Sequence, residues 1–249
     1  MKFLLTAINA KFIHSNPAIY SLRACAGEKL QPYVELAEFT INESLESILE
    51  GIWKRQPEVI GFSCYIWNWK LIREILTELP KILPDTDIWL GGPEVTYDGS
   101  GLLNEFPQVT GIMVGEGEVT FREVLEQYVR EAETARQSEQ HEPDSIEQQA
   151  ADRMGTVAGK SMEERFGQIP GLCLASGYTE PRELTDLTTL PFLYEDMEPF
   201  TNRIIYYETS RGCPYRCSYC LSSIDEKVRL RDISVVKREL QFFLDQKVK

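Results

Sequence analysis

Along the first 130 residues, short apolar segments alternate with longer segments in which apolar residues recur every three or four positions. The short segments are candidate β-strands at residues 2–8, 34–39, 59–63, 88–90 and 111–114. Several of them are apolar at successive positions, a pattern typical of strands that are covered on both faces. The alternation predicts an α/β fold, in which a parallel five-stranded sheet is doubly wound with helices on both sides.

The longer segments carry signals for helix starts and apolar helix faces. Asn16 followed by Pro17 pairs a capping residue with the proline that a first helical position tolerates, so a helix to about residue 30 is predicted. Asn42 is predicted to cap a second helix. Two sets of residues follow the helical period and are predicted to pack on the sheet. They are Leu45, Ile48, Leu49, Ile52 and Trp53, and Phe121, Val124, Leu125, Tyr128 and Val129.

Composition divides the rest of the chain into three parts after an α/β domain at residues 1–130. Residues 131–168 are predicted to be a polar linker with a composition typical of disorder, since residues 129–165 lack Phe, Trp and Tyr. Residues 169–201 are predicted to be a connector. Residues 202–249 begin with an apolar segment at 204–209, predicted to be a strand, and continue through a cysteine-rich loop into a helix from about Ser234.

Charge and cysteine content narrow the environment in which the protein works. The 249 residues carry 26 Lys and Arg against 39 Asp and Glu, a formal net charge of −13. This charge repels phosphate backbones and anionic lipids, so it argues against nucleic-acid and membrane partners. No apolar segment approaches the ~18 residues of a membrane-spanning helix. Six cysteines are too few for a disulfide scaffold, and the sequence predicts a soluble cytoplasmic protein.

Three of the six cysteines, Cys213, Cys217 and Cys220, lie within eight positions at the spacing C-x₃-C-x₂-C. Thiolates at this spacing can hold one iron–sulfur cubane. A [4Fe–4S] cluster normally takes four cysteines, so three leave one iron without a protein ligand. Arg211 and Arg216 add positive charge beside an anionic cluster. The loop therefore predicts a cluster with one open, reactive iron.

Other uses of the clustered cysteines are less favoured but stay open. A structural zinc site would need a fourth ligand, for which the candidates are Cys25, Cys64, Cys173, His14 and His141. A disulfide would leave one of the three cysteines unpaired and conflicts with a reducing compartment. An electron-transfer cluster held by three cysteines is also compatible with the spacing.

The cysteine loop resembles the signature of the radical S-adenosylmethionine (SAM) superfamily, including its place between a first strand and a first helix. The resemblance implies that Cys213, Cys217 and Cys220 ligate three irons, and that the fourth iron chelates the amino and carboxylate groups of SAM. It also implies reductive cleavage of SAM to a 5′-deoxyadenosyl radical. Tyr219 matches the aromatic position that packs beside the adenine, and packing inside a barrel would explain it equally well. The superfamily's (β/α) barrel needs several further units, so we expect this chain to be the N-terminal portion of a longer protein.

Loops after the predicted strands form a second candidate site, because ligands bind at the carboxyl ends of strands in open α/β sheets. Three of these loops read Ser63-Cys64-Tyr65, Gly91-Gly92-Pro93-Glu94 and Gly115-Glu116-Gly117-Glu118. Together they resemble the Rossmann- or flavodoxin-like cobalamin-binding domain that precedes the radical site in one branch of the superfamily. The resemblance implies that cobalamin's nucleotide tail is lined by Ser63, Gly91, Gly92, Gly115 and Gly117. Ordinary turn and helix-start chemistry would also explain each glycine.

His14 follows the first predicted strand and is a candidate lower ligand of cobalt. Imidazole suits such a site, but the Asp-x-His-x-x-Gly sequence of methionine-synthase-type domains is absent. The alternative is a loop histidine that is hydrogen-bonded near the corrin. Four aromatic residues around the end of the third strand are predicted to pack at a domain interface rather than on the corrin. They are Phe62, Tyr65, Trp67 and Trp69.

Together these features predict a cobalamin-dependent radical SAM enzyme, methyltransferase-like or cyclase-like, which modifies an organic substrate by methyl transfer to carbon or by ring remodelling. The implied cofactors are a [4Fe–4S] cluster, SAM and cobalamin, with a reducing partner such as flavodoxin or ferredoxin. The alternative is a non-catalytic cobalamin- or flavin-binding module with an electron-transfer cluster. We expect little activity from the present chain alone.

Overall fold

The computed structural model describes residues 1–140, 161–215, 217–220 and 227–248. Within them, a central sheet is built from β1 (Phe3–Asn9), β2 (Val34–Thr40), β3 (Val59–Ser63), β4 (Asp87–Gly91), β5 (Val109–Met113), β6 (Leu172–Leu174) and β7 (Gly177–Tyr178). The first five strands are parallel in the order β2-β1-β3-β4-β5, and β6 and β7 extend the sheet antiparallel beyond β5. The predicted parallel sheet is confirmed. The prediction of five strands was incomplete, because the antiparallel pair brings the sheet to seven.

Helices cover both faces of the sheet. They are α1 (Pro17–Cys25), α2 (Leu45–Trp53), α3 (Trp69–Ile82), α4 (Gly99–Glu105), α5 (Gly117–Gln140), α6 (Met162–Phe166) and α7 (Ile233–Asp245). Helices α2, α3 and α4 share a buried core with Leu4 and Ile8 of β1. Helices α1, α5 and α6 share a second core with Phe3 and Leu5, because successive strand residues point to opposite faces. The doubly wound arrangement is confirmed, and no helix in the described residues is long and apolar enough to cross a membrane.

The interior strand β1 explains why the apolar segments are nearly continuous. All seven of its residues are buried, since β2 and β3 flank it and helices cover both faces. The register pairs Ala7 with Ser63, Ser63 with Gly91 and Gly91 with Met113. The carboxyl ends of β1, β3, β4 and β5 therefore meet at one edge of the sheet, where the candidate loops emerge.

The two predicted helix starts had different outcomes. Asn16 caps α1, since its side-chain oxygen accepts a hydrogen bond from the Ala18 N–H at 3.1 Å, and Pro17 is the first helical residue. The helix ends at Cys25 rather than near residue 30, and Gly27 follows with a φ of +75°. The prediction that Asn42 caps α2 was wrong. Ser44 caps this helix through a hydrogen bond from the Ser47 N–H at 3.2 Å.

The polar region after the α/β domain is helical at both described ends. Helix α5 continues to Gln140, and α6 packs beside it through an ion pair between Arg165 and Glu131 at 2.8 Å. Phe166 is fully buried against Trp89, with 5.2 Å between ring centroids. Residues 141–160 lie outside the described residues, so the predicted linker and the four-part domain division stay predictions.

The region that carries the cysteine loop is less regular than predicted. The strand expected at 204–209 does not form: Ile204 makes an isolated bridge with His14, and residues 205–208 are irregular. The side chains and carbonyl groups there bond to loops and helices instead, as in the 2.5 Å hydrogen bond from Tyr207 to Glu239 of α7. Short strands β8 (Ser210–Arg211) and β9 (Arg229–Leu230) then pair antiparallel on either side of the cysteine loop.

Candidate cofactor-binding cavity

A cavity of about 900 Å³ opens at the carboxyl edge of the sheet. One wall is made by the loops after β3, β4 and β5. The opposite wall is made by residues between 184 and 211, together with Arg231. The cavity is thus enclosed by the α/β domain on one side and by the segment leading to the cysteine loop on the other. Its position matches the edge where open α/β sheets bind ligands.

The cavity extends inward along the face of the sheet that α1 and α5 cover. Its floor includes Leu5, Gly61 and Trp89 from three neighbouring strands, and Ile19 and Leu22 of α1 line its side. The indole N–H of Trp89 donates to the Tyr128 hydroxyl at 2.9 Å, so this polar atom is satisfied. The lining is mostly apolar, as in sites that take organic cofactors.

The five residues predicted to line a nucleotide tail all lie on this cavity. They are Ser63, Gly91, Gly92, Gly115 and Gly117. Their contact with cobalamin stays a prediction, but the structure brings them together at one edge. Gly117 leaves room for α1, because a Cβ there would lie 3.2 Å from Leu22 Cδ2. Gly115 has a φ of +75°, which favours glycine.

Gly92 has a structural requirement of its own. Its φ is +110°, and a Cβ at this position would lie 2.5 Å from the carbonyl oxygen of Cys64. The Cys64 N–H in turn donates to the Gly91 carbonyl at 2.7 Å. Two site loops therefore touch through backbone at this point. A larger residue at Gly92 would disturb that contact before it reached a ligand.

Two asparagines that the sequence analysis did not assign to the site fix its geometry. Asn68 is fully buried, donating to the carbonyl groups of Ile8 at 3.0 Å and Ser63 at 2.9 Å and accepting from the Tyr65 N–H at 2.8 Å. It ties the ends of β1 and β3 together. Asn16, besides capping α1, donates to Ser63 Oγ at 3.2 Å. An asparagine directly before a segment of helical period was the available signal for Asn68.

His14 lies beside the cavity rather than on its lining. Its Nδ1 is hydrogen-bonded to the hydroxyl of Tyr206, and the two rings stack with 5.9 Å between centroids. Tyr206 itself lines the cavity. The described geometry matches the alternative of a hydrogen-bonded loop histidine, and ligation of cobalt by His14 stays a prediction.

The predicted aromatic group divides between the core and the rim. Phe62 and Trp69 pack with the α2–α4 core, and Trp69 meets Phe106 with 6.5 Å between ring centroids. Tyr65 lines the cavity and stacks on Trp67 at 4.4 Å between ring centroids. Trp67 is half exposed. These four residues are therefore not one interface cluster.

The cysteine loop lies beyond β8. None of the six cysteines, all of which the structure describes, forms a disulfide. Cys213 and Cys217 are half-buried and Cys220 is exposed. No three His, Cys, Asp or Glu side chains among the described residues are grouped as metal ligands, so the three thiols are not gathered here. Tyr219 is 90% exposed, and His141, a candidate zinc ligand, lies outside the described residues.

Charged residues join the two walls of the cavity through contacts that the sequence analysis did not predict. Glu116, in the loop after β5, pairs with Arg211 at 3.2 Å and also with Arg229. Glu118 pairs with Arg211 at 2.8 Å. The Thr185 N–H donates to Glu116 at 2.7 Å. Only a structure reveals such partners, since they are more than 60 residues apart in sequence.

These contacts change the ionisation of both partners. Burial alone would raise the pKa of Glu116, but hydrogen bonds from Arg229 and the Thr185 backbone, with the charge of Arg211, lower it to about 2. Burial acts to lower the pKa of the Arg211 guanidinium, yet hydrogen bonds to Glu208 and Glu118 outweigh it and raise that pKa overall. Both groups are therefore charged at neutral pH.

A family model of the B12 binding domain matches residues 4–125. This part of the chain is a B12-binding domain. The cavity described above opens at the edge of that domain and is lined by its loops. The resemblance to cobalamin-binding radical SAM proteins, inferred from the sequence, is confirmed.

Two curated proteins are similar to most of the chain. A 2-(S-pantetheinyl)-carbapenam-3-carboxylate methyltransferase of Streptantibioticus cattleyicolor is 25% identical over 236 residues, which cover 91% of this chain and 30% of that protein. The cobalamin-dependent radical SAM methyltransferase TokK of Streptomyces tokunonensis is 25% identical over 181 residues, which cover 66% of this chain and 22% of that protein. The chain thus spans less than a third of the length of these relatives.

The fold is also similar to a solved structure. The cobalamin-dependent SAM radical enzyme OxsB, with aqua-cobalamin and SAM bound, superposes with a TM-score of 0.64 at 17% sequence identity. The match covers 96% of this chain and 31% of that chain. At this sequence identity, the similarity shows that the two proteins share a fold.

Proposed function

We propose that this chain is part of a cobalamin-dependent radical SAM enzyme that modifies an organic substrate, by methyl transfer to carbon or by ring remodelling. The observation that carries the proposal is the shared cavity. Its inner wall is the B12-binding domain and its outer wall is the segment that leads into Cys213. Two cofactors placed on these two walls would act on one substrate.

The cavity suits the nucleotide tail of cobalamin in its lining. At about 900 Å³ it is near the upper end of the usual range of ligand pockets. Gly115 at its mouth leaves open space, since nothing lies within 4 Å of a Cβ built there. The apolar floor at Leu5 and Trp89 would exclude water from an aromatic group in the cofactor's tail. Ser63, Gly91, Gly92, Gly115 and Gly117 are the residues we assign to that tail.

The cysteine loop suits a [4Fe–4S] cluster by the chemistry of its donors. The ligands would be the thiols of Cys213, Cys217 and Cys220, which lie within eight residues and form no disulfide. When bound, the cluster would supply the electron that cleaves SAM, and cobalamin would supply or receive a one-carbon group. Tyr219 is exposed next to the last ligand and is free of the core, so it can cover an adenine.

The chain's own residues hold this arrangement. Arg211, two residues before the first cysteine, pairs with Glu116 and Glu118 and so joins the cysteine loop to the B12-binding domain. The Tyr194 hydroxyl donates to the Tyr206 carbonyl, and this bond fixes the cavity wall just before Arg211. An external reductant such as flavodoxin or ferredoxin would deliver the electron in the cytoplasm.

Anaerobic reconstitution with iron and sulfide, followed by titration with hydroxocobalamin, tests the proposal. We expect about four irons per chain, loss of the cluster in Cys213→Ala, Cys217→Ala and Cys220→Ala, and saturable cobalamin binding. Cys25→Ala, which removes a half-buried cysteine outside the loop, is the matched control and should keep the cluster.

Electron paramagnetic resonance of the reduced cluster separates the proposal from its alternative. Added SAM should change the signal, because its amino and carboxylate groups would occupy the open iron. The remaining barrel would normally supply further SAM contacts, so the test should include the longer protein. An unchanged signal with no 5′-deoxyadenosine formed would favour an electron-transfer cluster, and stoichiometric zinc or bound flavin would contradict the cofactor assignment.

A further inference from the structure

Both ends of the cysteine loop are tied to the same carboxylate. Arg211 stands at the start of the loop in β8, and Arg229 stands at its end in β9. The two residues face each other in the antiparallel pairing. Glu116 contacts both guanidinium groups. A single side chain of the B12-binding domain therefore closes the base of the loop.

The same carboxylate belongs to the loop that lines the cavity. Glu116 lies between Gly115 and Gly117, and all three residues line the cavity. Its side chain is 13% exposed, so little water competes for its charge. Glu118, only 8% exposed, supports the contact by binding Arg211 from the next turn. The cavity loop thus contacts both strands that flank the cysteines.

We infer that Glu116 is a positioning residue that couples occupation of the cavity by cobalamin to the placement of β8 and β9, the strands that flank the cysteines. This inference rests on the proposed function. Cobalamin in the cavity would fix the β5 loop and, through Glu116, the base of the cysteine loop. A cluster bound to the cysteines would fix β8 and β9 and thereby the β5 loop. By linkage, each cofactor then raises the affinity for the other by the same factor.

Loss of the carboxylate should uncouple the two sites because of the charges it leaves behind. Without Glu116, Arg229 keeps its bond to the Thr185 carbonyl at 2.6 Å but faces Arg211 across the strand pair. Like charges directly opposite each other destabilise an antiparallel pair. Glu118 still holds Arg211, so the domain itself should fold.

The test compares wild type with Glu116→Gln and the matched control Glu123→Gln. Glu123 lies on the same helix, α5, and also pairs with an arginine, Arg182, which is outside the cysteine loop. The dissociation constant of hydroxocobalamin is measured by absorbance, for the chain purified without iron and for the anaerobically reconstituted chain. We expect reconstitution to tighten binding about five-fold or more in wild type and in Glu123→Gln. In Glu116→Gln the dissociation constants measured without and with reconstitution should become about equal.

Hydrogen exchange provides a readout without cofactors. The Arg231 N–H donates to the Thr209 carbonyl at 2.9 Å, next to the β8–β9 pair. Its exchange should be about ten-fold faster in Glu116→Gln and unchanged in Glu123→Gln. Arg229→Gln should reproduce the effect from the other side of the contact, which keeps the test decisive if Glu116→Gln folds poorly.

The outcomes separate the inference from the proposed function. Equal cobalamin affinity with and without iron in wild type would overturn the coupling and leave the proposed function intact. Coupling that persists in Glu116→Gln would overturn the role of Glu116. No hydroxocobalamin binding by wild type would overturn the proposed function itself, and the coupling with it.

Discussion

The B12-binding domain and the segment around the cysteine loop are held by different interactions. In the domain, all seven residues of β1 are buried and both faces of the sheet are covered by apolar helix residues. Around the cysteine loop, β8 and β9 contain two residues each, and Leu230 is 71% exposed. That segment is attached through Arg211, Arg229 and their carboxylate partners.

This difference shows that the two sides of the cavity are stabilised in different ways. Burial of apolar surface fixes the floor, because it is large and insensitive to ionic conditions. Partly buried ion pairs attach the β8–β9 pair on the opposite wall, and their energy depends on geometry, water and salt. Tyr194 of the same wall is instead buried among aromatic rings. The floor should therefore behave as a preformed surface, and the β8–β9 part of the wall as the adjustable part.

The largest expected effect on stability comes from comparing two leucines, one in the B12-binding domain and one in the helix that follows the cysteine loop. Leu125 of α5 is fully buried, whereas Leu244 of α7 is 70% exposed. Leu125→Ala should lower the free energy of unfolding by about 2–5 kcal/mol, because it removes transfer energy and leaves a cavity. Leu244→Ala should change it by less than about 0.5 kcal/mol. Urea unfolding measures both, and equal losses would show that α7 is buried to the same degree.

A glycine pair at the cavity edge should give the next largest effect. Gly92→Ala combines a strained φ of +110° with a Cβ only 2.5 Å from the Cys64 carbonyl oxygen, and it should cost about 3 kcal/mol. Gly115→Ala has a φ of +75° and open space, so it should cost about 1 kcal/mol. Urea unfolding without cofactor compares them. If Gly92→Ala is as stable as Gly115→Ala, the backbone contact with Cys64 is not rigid.

High salt should loosen the β8–β9 pair and leave the central sheet unchanged. At 1 M salt the Debye length is about 3 Å, so the Arg229–Glu116 pair, whose side chains are 20% and 13% exposed, is partly screened. Amide exchange around Arg229 should speed up several-fold between 0.1 and 1 M sodium chloride, whereas exchange in β1 and β3 should stay within about two-fold. Mass spectrometry of peptides from both regions measures the contrast. A uniform change across the chain would contradict the division into a floor and a wall.

The last expected effect is the pH dependence of the Glu116 contact. The folded pKa of about 2 lies below the ordinary value of 4.5, so the carboxylate contributes stability that is fully present above 4.5. That contribution is lost as the pH falls from 4.5 towards 2. The difference in unfolding free energy between wild type and Glu116→Gln should therefore shrink over this range. A difference that stays constant from pH 6 to pH 3 would mean that the ionised carboxylate does not carry the contact.

The sequence was informative where local pattern and burial coincide. The five parallel strands were predictable because strands covered on both faces are apolar at successive positions. The site glycines were predictable because they follow strand ends, as ligand-binding loops of open sheets do. Asn16 was predictable because capping is a local interaction with Ala18.

Contacts between residues far apart in the sequence could not be predicted in this way. The apolar segment at 204–209 has the composition of a strand, but strand formation needs a neighbour, and Tyr206 and Tyr207 bond to other partners. The β6–β7 pair was missed as a sheet extension because its register with β5 spans about 60 residues. The role of Glu116 was missed because acidic residues at a helix start are ordinary and their arginine partners lie far along the chain.

The position of Trp89 gives the cavity a built-in optical reporter. Trp89 belongs to the residues of the floor, while Trp69 packs in the core on the opposite face and Trp53 and Trp67 are half exposed. A corrin absorbs light in the range where buried tryptophan emits, so a filled cavity would quench the fluorescence of the Trp89 indole by energy transfer. The quenched fraction would then report occupancy continuously, in a chain that needs no attached dye.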